Sequence, residues 1–160
     1  DHLRPAALLA LVLVVVQVAL GGWVSTNYAA LACSDFPLCQ GQWVPQGMDF
    51  EHAFTLRREL GETATGELLT MASLTAIHWV HRVMALIVFV YVGWLAIRLL
   101  RTPGYICFGM AVGGLLLVQV TLGISNVLFS LPLGLAVAHN AGAAFLLASV
   151  LWLNHRVRRS

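Results

Sequence analysis

Long apolar runs make up most of the chain, separated by one long polar stretch and two short ones. Residues 5–26 carry no charge and a single amide, Gln17. Residues 71–97 are apolar apart from His78, His81, Arg82 and small hydroxyls, and 105–129 are uncharged. Residues 131–153 hold His139 and Asn140 as their strongly polar groups. A helix crosses the hydrocarbon core of a bilayer with about 20 mostly apolar residues. The pattern therefore predicts an all-α, integral membrane four-helix bundle made of two transmembrane hairpins. The first run is longer than the roughly 7–15-residue core of a signal peptide, and the Ser25-Thr26-Asn27-Tyr28 that follows is a weak cleavage site.

The polar stretch is the loop at 27–70. Phe50, Ala53, Phe54, Arg57 and Leu60 fall at helical spacing with acids between them. That predicts a short amphipathic helix lying on the membrane surface.

Composition supports the membrane reading. Hydrophobic residues are 59% of the 160, and charged residues 10%, where a soluble domain carries roughly 25%. So few charges cannot cover a water-facing surface, which excludes a soluble enzyme, a nucleic-acid binder and a disordered tail. The expected surroundings are membrane lipid. The net charge of +2 is too small to argue for an anionic partner, but its placement sets direction. Arg4, Arg98, Arg101, Arg156, Arg158 and Arg159 all fall on one side of a four-span topology. The 27–70 loop holds Arg57 and Arg58 against six acids. The positive-inside rule then puts both termini on the cytoplasmic or matrix side and the long loop outside.

Cys33 and Cys39 lie in that outer loop, where disulfides persist, and Pro37 between them favours a turn. A disulfide is expected, either as a clip on the loop or as a redox-active pair. Cys107, within the third span, reads as a small buried hydrophobe. A five-residue echo also stands out: Gln17-Val18-Ala19-Leu20-Gly21 in span one and Gln119-Val120-Thr121-Leu122-Gly123 in span three. Each opens a hairpin whose second helix carries a histidine, as two repeats related by a pseudo-two-fold axis along the membrane normal would.

Ionisable residues at membrane depth are costly and mark function by default. His81 lies about ten residues, or roughly 15 Å, along span two, and His139 about eight residues, or roughly 12 Å, along span four. Two imidazoles at matched depth on a small bundle suit the two axial positions of a haem iron. Ala138, Gly142 and Ala143 leave room beside His139. The competing readings are interior histidines satisfied by hydrogen bonds, a bare metal ion or a proton relay. Arg82 follows His81, and no carboxylate occurs in any span. A haem propionate would supply its counter-charge. The alternative is that Arg82 snorkels or pairs with Glu67. His78 is a third ligand, a second-shell donor or an interface histidine. His2, His52 and His155 read as solvated.

In order along the chain, these residues resemble the haem A synthase family. The resemblance is carried by Gln17-Val18-Ala19-Leu20-Gly21-Gly22, by Cys33 and Cys39, and by Ile77-His78-Trp79-Val80-His81-Arg82. It continues through Gln119-Val120-Thr121-Leu122-Gly123-Ile124-Ser125 and Ala138-His139-Asn140-Ala141-Gly142. Members generally have eight spans in two four-helix halves, so residues 1–160 would be one such half-domain, most like the C-terminal one. The resemblance implies an oxidoreductase that converts haem O to haem A for cytochrome oxidase biogenesis, in a bacterial or mitochondrial inner membrane. It implies that His81 and His139 are axial ligands of a haem b iron, that Arg82 contacts a propionate, and that Cys33–Cys39 is an extracytoplasmic disulfide. The family's substrate-binding half has a glutamate three residues before its span-two histidine. Here that position is His78, so this half resembles the cofactor-binding one and no catalytic residue is assigned. Haem O is expected in a second four-span half, either a missing N-terminal half or another protomer. The chain starts at Asp1 without an initiator methionine, and a fragment of a longer protein is expected. No flavin or nicotinamide motif is present, which leaves the electron donor external. A bis-histidine membrane cytochrome b without synthase activity is the alternative; a cofactor-free assembly protein and a transporter are weaker.

Overall fold

The computed structural model describes residues 3–57 and 59–159. His2 and Arg58 lie outside the described residues. The described residues form five helices: α1 (Leu3–Thr26), α2 (Phe50–Ala53), α3 (Met71–Leu100), α4 (Ile106–Leu128) and α5 (Leu133–Arg159). α1, α3, α4 and α5 are long and apolar enough to cross a membrane, and the described residues contain no strand beyond two isolated bridges.

The helix ends differ from the hydropathy boundaries for local reasons. Ser130 and Leu131 adopt positive φ of 56° and 61°, so the α4–α5 turn takes them out of the helix and α5 starts at Leu133. At its other end α5 continues through Arg156, Arg158 and Arg159. Cations are favourable in a last helical turn, and Arg4 Nε donates to the Val157 carbonyl at 3.2 Å.

α1 packs against α3 and α5, and α4 packs against the same two; α1–α4 and α3–α5 are the diagonals. This cyclic order is the one a pseudo-two-fold relation between hairpins α1–α3 and α4–α5 requires. At the end carrying the termini the bundle is sealed. Ala6, Ala7, Ala10 and Val14 of α1 meet Val88, Val92 and Leu95 of α3, Val112 and Leu116 of α4, and Leu146, Val150 and Leu153 of α5. Small residues on α1 let its neighbours approach. Asn154 of α5 is buried there and donates to the Ala7 carbonyl at 2.8 Å. α3 and α4 approach closely at Gly109, where a Cβ would lie 2.7 Å from the Leu100 nitrogen and 2.9 Å from the Ala96 oxygen.

That core stops at Val14, Val88, Leu116 and Leu146. Towards the loop end the other buried cluster, Val24, Ala29, Ala53, Leu69, Ala76 and Ile77, joins α1, α3 and the loop and contains no residue of α4 or α5. The loop-end halves of the two hairpins therefore face each other without a shared apolar core.

The loop helix is shorter than its periodicity suggests. Asp49 caps α2 by accepting from the His52 N–H at 3.1 Å. The Thr55 hydroxyl donates to the Glu51 carbonyl at 2.7 Å, and the helix ends at Ala53, with Phe54 as its C-cap at φ −117° and ψ 18°. Nor does α2 lie alone on a surface. Ala53 is fully buried, Trp23 Nε1 donates to its carbonyl at 2.9 Å, and the Asp49 carboxylate accepts from the Ser73 hydroxyl at 3.0 Å. These bonds, the His52 N–H first, hold the Asp49 carboxyl below its ordinary value against the opposing effect of burial. Cys107 also departs from expectation: it is exposed in the first turn of α4 rather than buried.

Candidate functional site

The two intramembrane histidines sit just above the sealed core, each against the same pair of residue types. Gln17 Nε2 of α1 lies 3.2 Å from His81 Nδ1 and 3.5 Å from its Nε2, and donates to the His81 carbonyl at 3.2 Å. A Cβ on Gly21, one turn further along α1, would be 3.3 Å from His81 Cε1. In the second hairpin, Gln119 Nε2 of α4 lies 3.4 Å from His139 Nε2. A Cβ on Gly123 would be 3.1 Å from His139 Cε1. Gln119 fits because residue 142 is glycine: a Cβ there would collide with Gln119 Oε1. The five-residue echo is thus a repeated histidine seat, with glutamine and glycine one turn apart on one helix and the imidazole on its hairpin partner. The helices that carry the two imidazoles, α3 and α5, are a diagonal pair. Both imidazoles are half-buried.

Four buried side-chain polar atoms lack a hydrogen-bond partner among the described residues: Gln17 Oε1, Gln119 Oε1, His139 Nδ1 and Asn126 Oδ1. Buried polar groups are normally paired, and three of these four belong to the histidine seats. No group of three or more His, Cys, Asp or Glu side chains placed to hold an ion occurs among the described residues. A metal held by His81 and His139 would therefore bring its remaining ligands with it, as haem iron does. Two imidazoles on diagonal helices, an unpartnered ring nitrogen and side-chain-free space at two glycines fit that group.

Arg82, directly after His81, points away from this gap towards the loop. Its Nη1 donates to the carbonyls of Asp35 and Leu38, both at 2.8 Å, and its Nη2 to that of Cys33 at 2.7 Å. Its Nε faces His78 Nε2 at 3.2 Å. The Nη partners are backbone carbonyls, which the lack of side-chain carboxylates in the spans does not address. Glu67 is not among the partners these bonds identify.

The loop that supplies those carbonyls is closed by a Cys33–Cys39 disulfide with Cα atoms 4.7 Å apart. The Asp35 carboxylate accepts from the N–H groups of Gln40 at 2.7 Å and Gly41 at 2.8 Å. The Gly41 bond is the main reason its carboxyl sits below the ordinary value; burial opposes it, and Arg82 helps. His78 is buried and braces the same ring, its Nδ1 facing the Cys33 N–H at 3.2 Å. With the Cys33 N–H against one ring nitrogen and Arg82 Nε against the other, of which a neutral imidazole accepts from one, His78 belongs to the loop anchor rather than to the gap between the hairpins. His52 is exposed and pairs with Asp49 at 2.8 Å, and His155 is exposed. Sequence reasoning noticed Gln17 and Gln119 as a repeat but gave them no role; the coincidence of each repeat with a histidine on the following span was the available signal.

Comparison with known proteins decides the family. Residues 1–151 match the COX15-CtaA family model, described as cytochrome oxidase assembly protein. The chain belongs to the COX15-CtaA family. It is 39% identical over 155 residues to Heme A synthase from Shewanella oneidensis, covering 97% of this chain and 47% of the relative. It is 34% identical over 152 residues to Heme A synthase from Nitrosospira multiformis, covering 92% and 39%. It is 34% identical over 142 residues to Heme A synthase COX15 from Arabidopsis thaliana, covering 87% and 28%. The chain spans less than half the length of each of these three COX15-CtaA relatives. No solved structure matches. COX15-CtaA membership and four apolar helices together make this a multi-pass membrane protein.

Proposed function

We propose that this chain is the haem b-binding, C-terminal-type half of a haem A synthase, an oxidoreductase that converts haem O to haem A for cytochrome oxidase assembly. The observation that carries the reading is the pair of matched histidine seats on opposite helices of a bundle whose apolar core stops just below them. His81 and His139 would hold the haem iron. Gly21 and Gly123 leave their rings space to turn. The sealed packing from Val14 and Val88 downward keeps water from entering at the termini. Arg82 holds the disulfide ring over the loop end of the site, and the Nη2 hydrogen left over after its carbonyl bonds is free for a propionate. His78 supports that anchor. The bound haem supplies one-electron redox chemistry or stabilises the assembled fold.

α1, α3, α4 and α5 contain no Asp or Glu, so the group that acts on the haem O methyl belongs to a second four-span half, in the same polypeptide or another protomer, with electrons from an external donor. The bundle sits in a bacterial or mitochondrial inner membrane. Its long loop lies on the oxidising side, where a disulfide persists, and its termini and arginine-rich turns lie inside.

The lack of an intramembrane carboxylate equally suits a plain bis-histidine cytochrome b, the second reading. The first test is a reduced-minus-oxidised spectrum of the detergent-solubilised chain with haem b, for the parent, His81→Ala and His139→Ala. A six-coordinate low-spin b-type spectrum lost in both variants supports the site, and no haem uptake by the parent sinks it. Conversion of haem O only in the presence of a second half separates synthase from cytochrome.

A further inference from the structure

We propose that Gln119 is a positioning residue for His139: its amide fixes the rotation of the imidazole, and its carbonyl oxygen accepts the Nε2–H of the ring when the histidine holds iron through its other nitrogen. This rests on the haem reading above and deepens it.

A histidine that ligates a metal through one ring nitrogen carries its proton on the other, and it almost always donates that proton to an acceptor that sets its tautomer and orientation. No carboxylate is at hand in the spans. At His139 the acceptor is present and unused: Gln119 Oε1 is buried without a partner among the described residues, on a side chain whose amide nitrogen lies 3.4 Å from His139 Nε2, while the other ring nitrogen, Nδ1, is buried and unpartnered and is left for the iron. Turning the amide about its last torsion exchanges oxygen for nitrogen and moves no helix. The place where Gln119 lies is kept open by the missing side chain of Gly142. The α1–α3 hairpin differs: Gln17 Nε2 lies 3.2 Å from His81 Nδ1 and also donates to the His81 carbonyl at 3.2 Å, so turning that amide would set its oxygen against the carbonyl oxygen, and Gln17 stays a donor.

The test compares the haem b-loaded chain with Gln119→Leu and Gln119→Glu, reading haem affinity, the g-values of the ferric haem and the midpoint potential. Gln119→Leu should lose roughly 10–100-fold in haem affinity, the usual cost of removing such a partner. Gln119→Glu keeps an acceptor, so it should retain the low-spin bis-histidine signal. Its carboxylate draws the ring proton more strongly, makes the imidazole a better donor to ferric iron and shifts the midpoint negative. A glutamine that only packs would alter the melting of the haem-free chain while leaving g-values and midpoint unmoved. Haem uptake by the parent with g-values, midpoint and affinity unchanged in both variants overturns the positioning role alone. No uptake by the parent overturns the haem reading and this inference with it.

Discussion

Placing an alanine at Gly123 sets two effects of opposite sign against each other. Gly123 lies inside α4, and Gly→Ala within a helix gains about 1 kcal/mol in intrinsic propensity. The new Cβ would sit 3.1 Å from His139 Cε1, about 0.3 Å inside the 3.4 Å at which ordinary contact begins. The ring has to give way by at least that much. A ligand set holds its geometry to within about 0.5 Å, so the shift uses more than half the tolerance. We expect Gly123→Ala to melt higher than the parent without haem and to bind haem b roughly three- to tenfold more weakly, where tenfold is about 1.4 kcal/mol. Gly21→Ala should show the same pattern more mildly, since its Cβ would be 3.3 Å from His81 Cε1. Gly22 and Gly114 are the controls: both are helical, and a Cβ on either meets nothing within 4 Å. Their alanine variants should gain stability and leave haem binding alone. The assay pairs thermal unfolding in detergent with haem titration by absorbance. Equal haem affinity for Gly123→Ala and Gly114→Ala would refute the claim that glycine clears the ring.

Three more expectations follow from other parts of the fold. Gly109→Ala drives a Cβ into the backbone of α3 at Leu100 and Ala96 and should lower stability by about 1–3 kcal/mol, read as a drop in melting temperature with the haem-site residues untouched. Arg82→Leu strips three carbonyls of a charged donor; such bonds carry about 1.5–3 kcal/mol each, so losing even one should speed reduction of Cys33–Cys39 by a water-soluble phosphine about tenfold. Asp35 has a carboxyl depressed below 3.8 in the fold; its contribution is therefore full above the unfolded value and is lost as pH falls through the lower folded value. Amide exchange at Gln40 and Gly41, corrected for the intrinsic rate, should accelerate only below about pH 3.8, and Asp35→Asn should abolish that pH dependence.

The membrane helices were legible because bilayer thickness imposes a length and a polarity that few other structures meet. The histidines stood out for the same reason, being ionisable groups where such groups are expensive. The disulfide was readable from two cysteines around a proline on the arginine-poor side. What periodicity could not give was where the loop helix stops. The amphipathic spacing up to Leu60 is real, but the backbone leaves the helix at Phe54, and the Thr55 hydroxyl bonds the Glu51 carbonyl there. Arg82 was read against the inventory of side-chain charges, whereas its partners are peptide oxygens that every residue carries and no sequence pattern marks. Cys107 was assigned to the core by residue type, although which face of α4 is covered depends on where α3 and α5 lie. Gln17 and Gln119 were visible as a repeat; their part in the site emerged only once the hairpins were folded against each other.

The ring closed by Cys33 and Cys39 turns three of its carbonyls onto one guanidinium, much as a crown ether wraps an ammonium ion. Hosts of that kind bind well because closure prepays the entropy of gathering their oxygens. Here the guest is rooted in α3 beside His81, so the cross-link that shapes the host also governs how firmly the helix carrying that histidine is held at its loop end. Opening the ring would leave every oxygen in place along the sequence and still dissolve the complex, making one sulfur–sulfur bond in the loop a determinant of order inside the membrane.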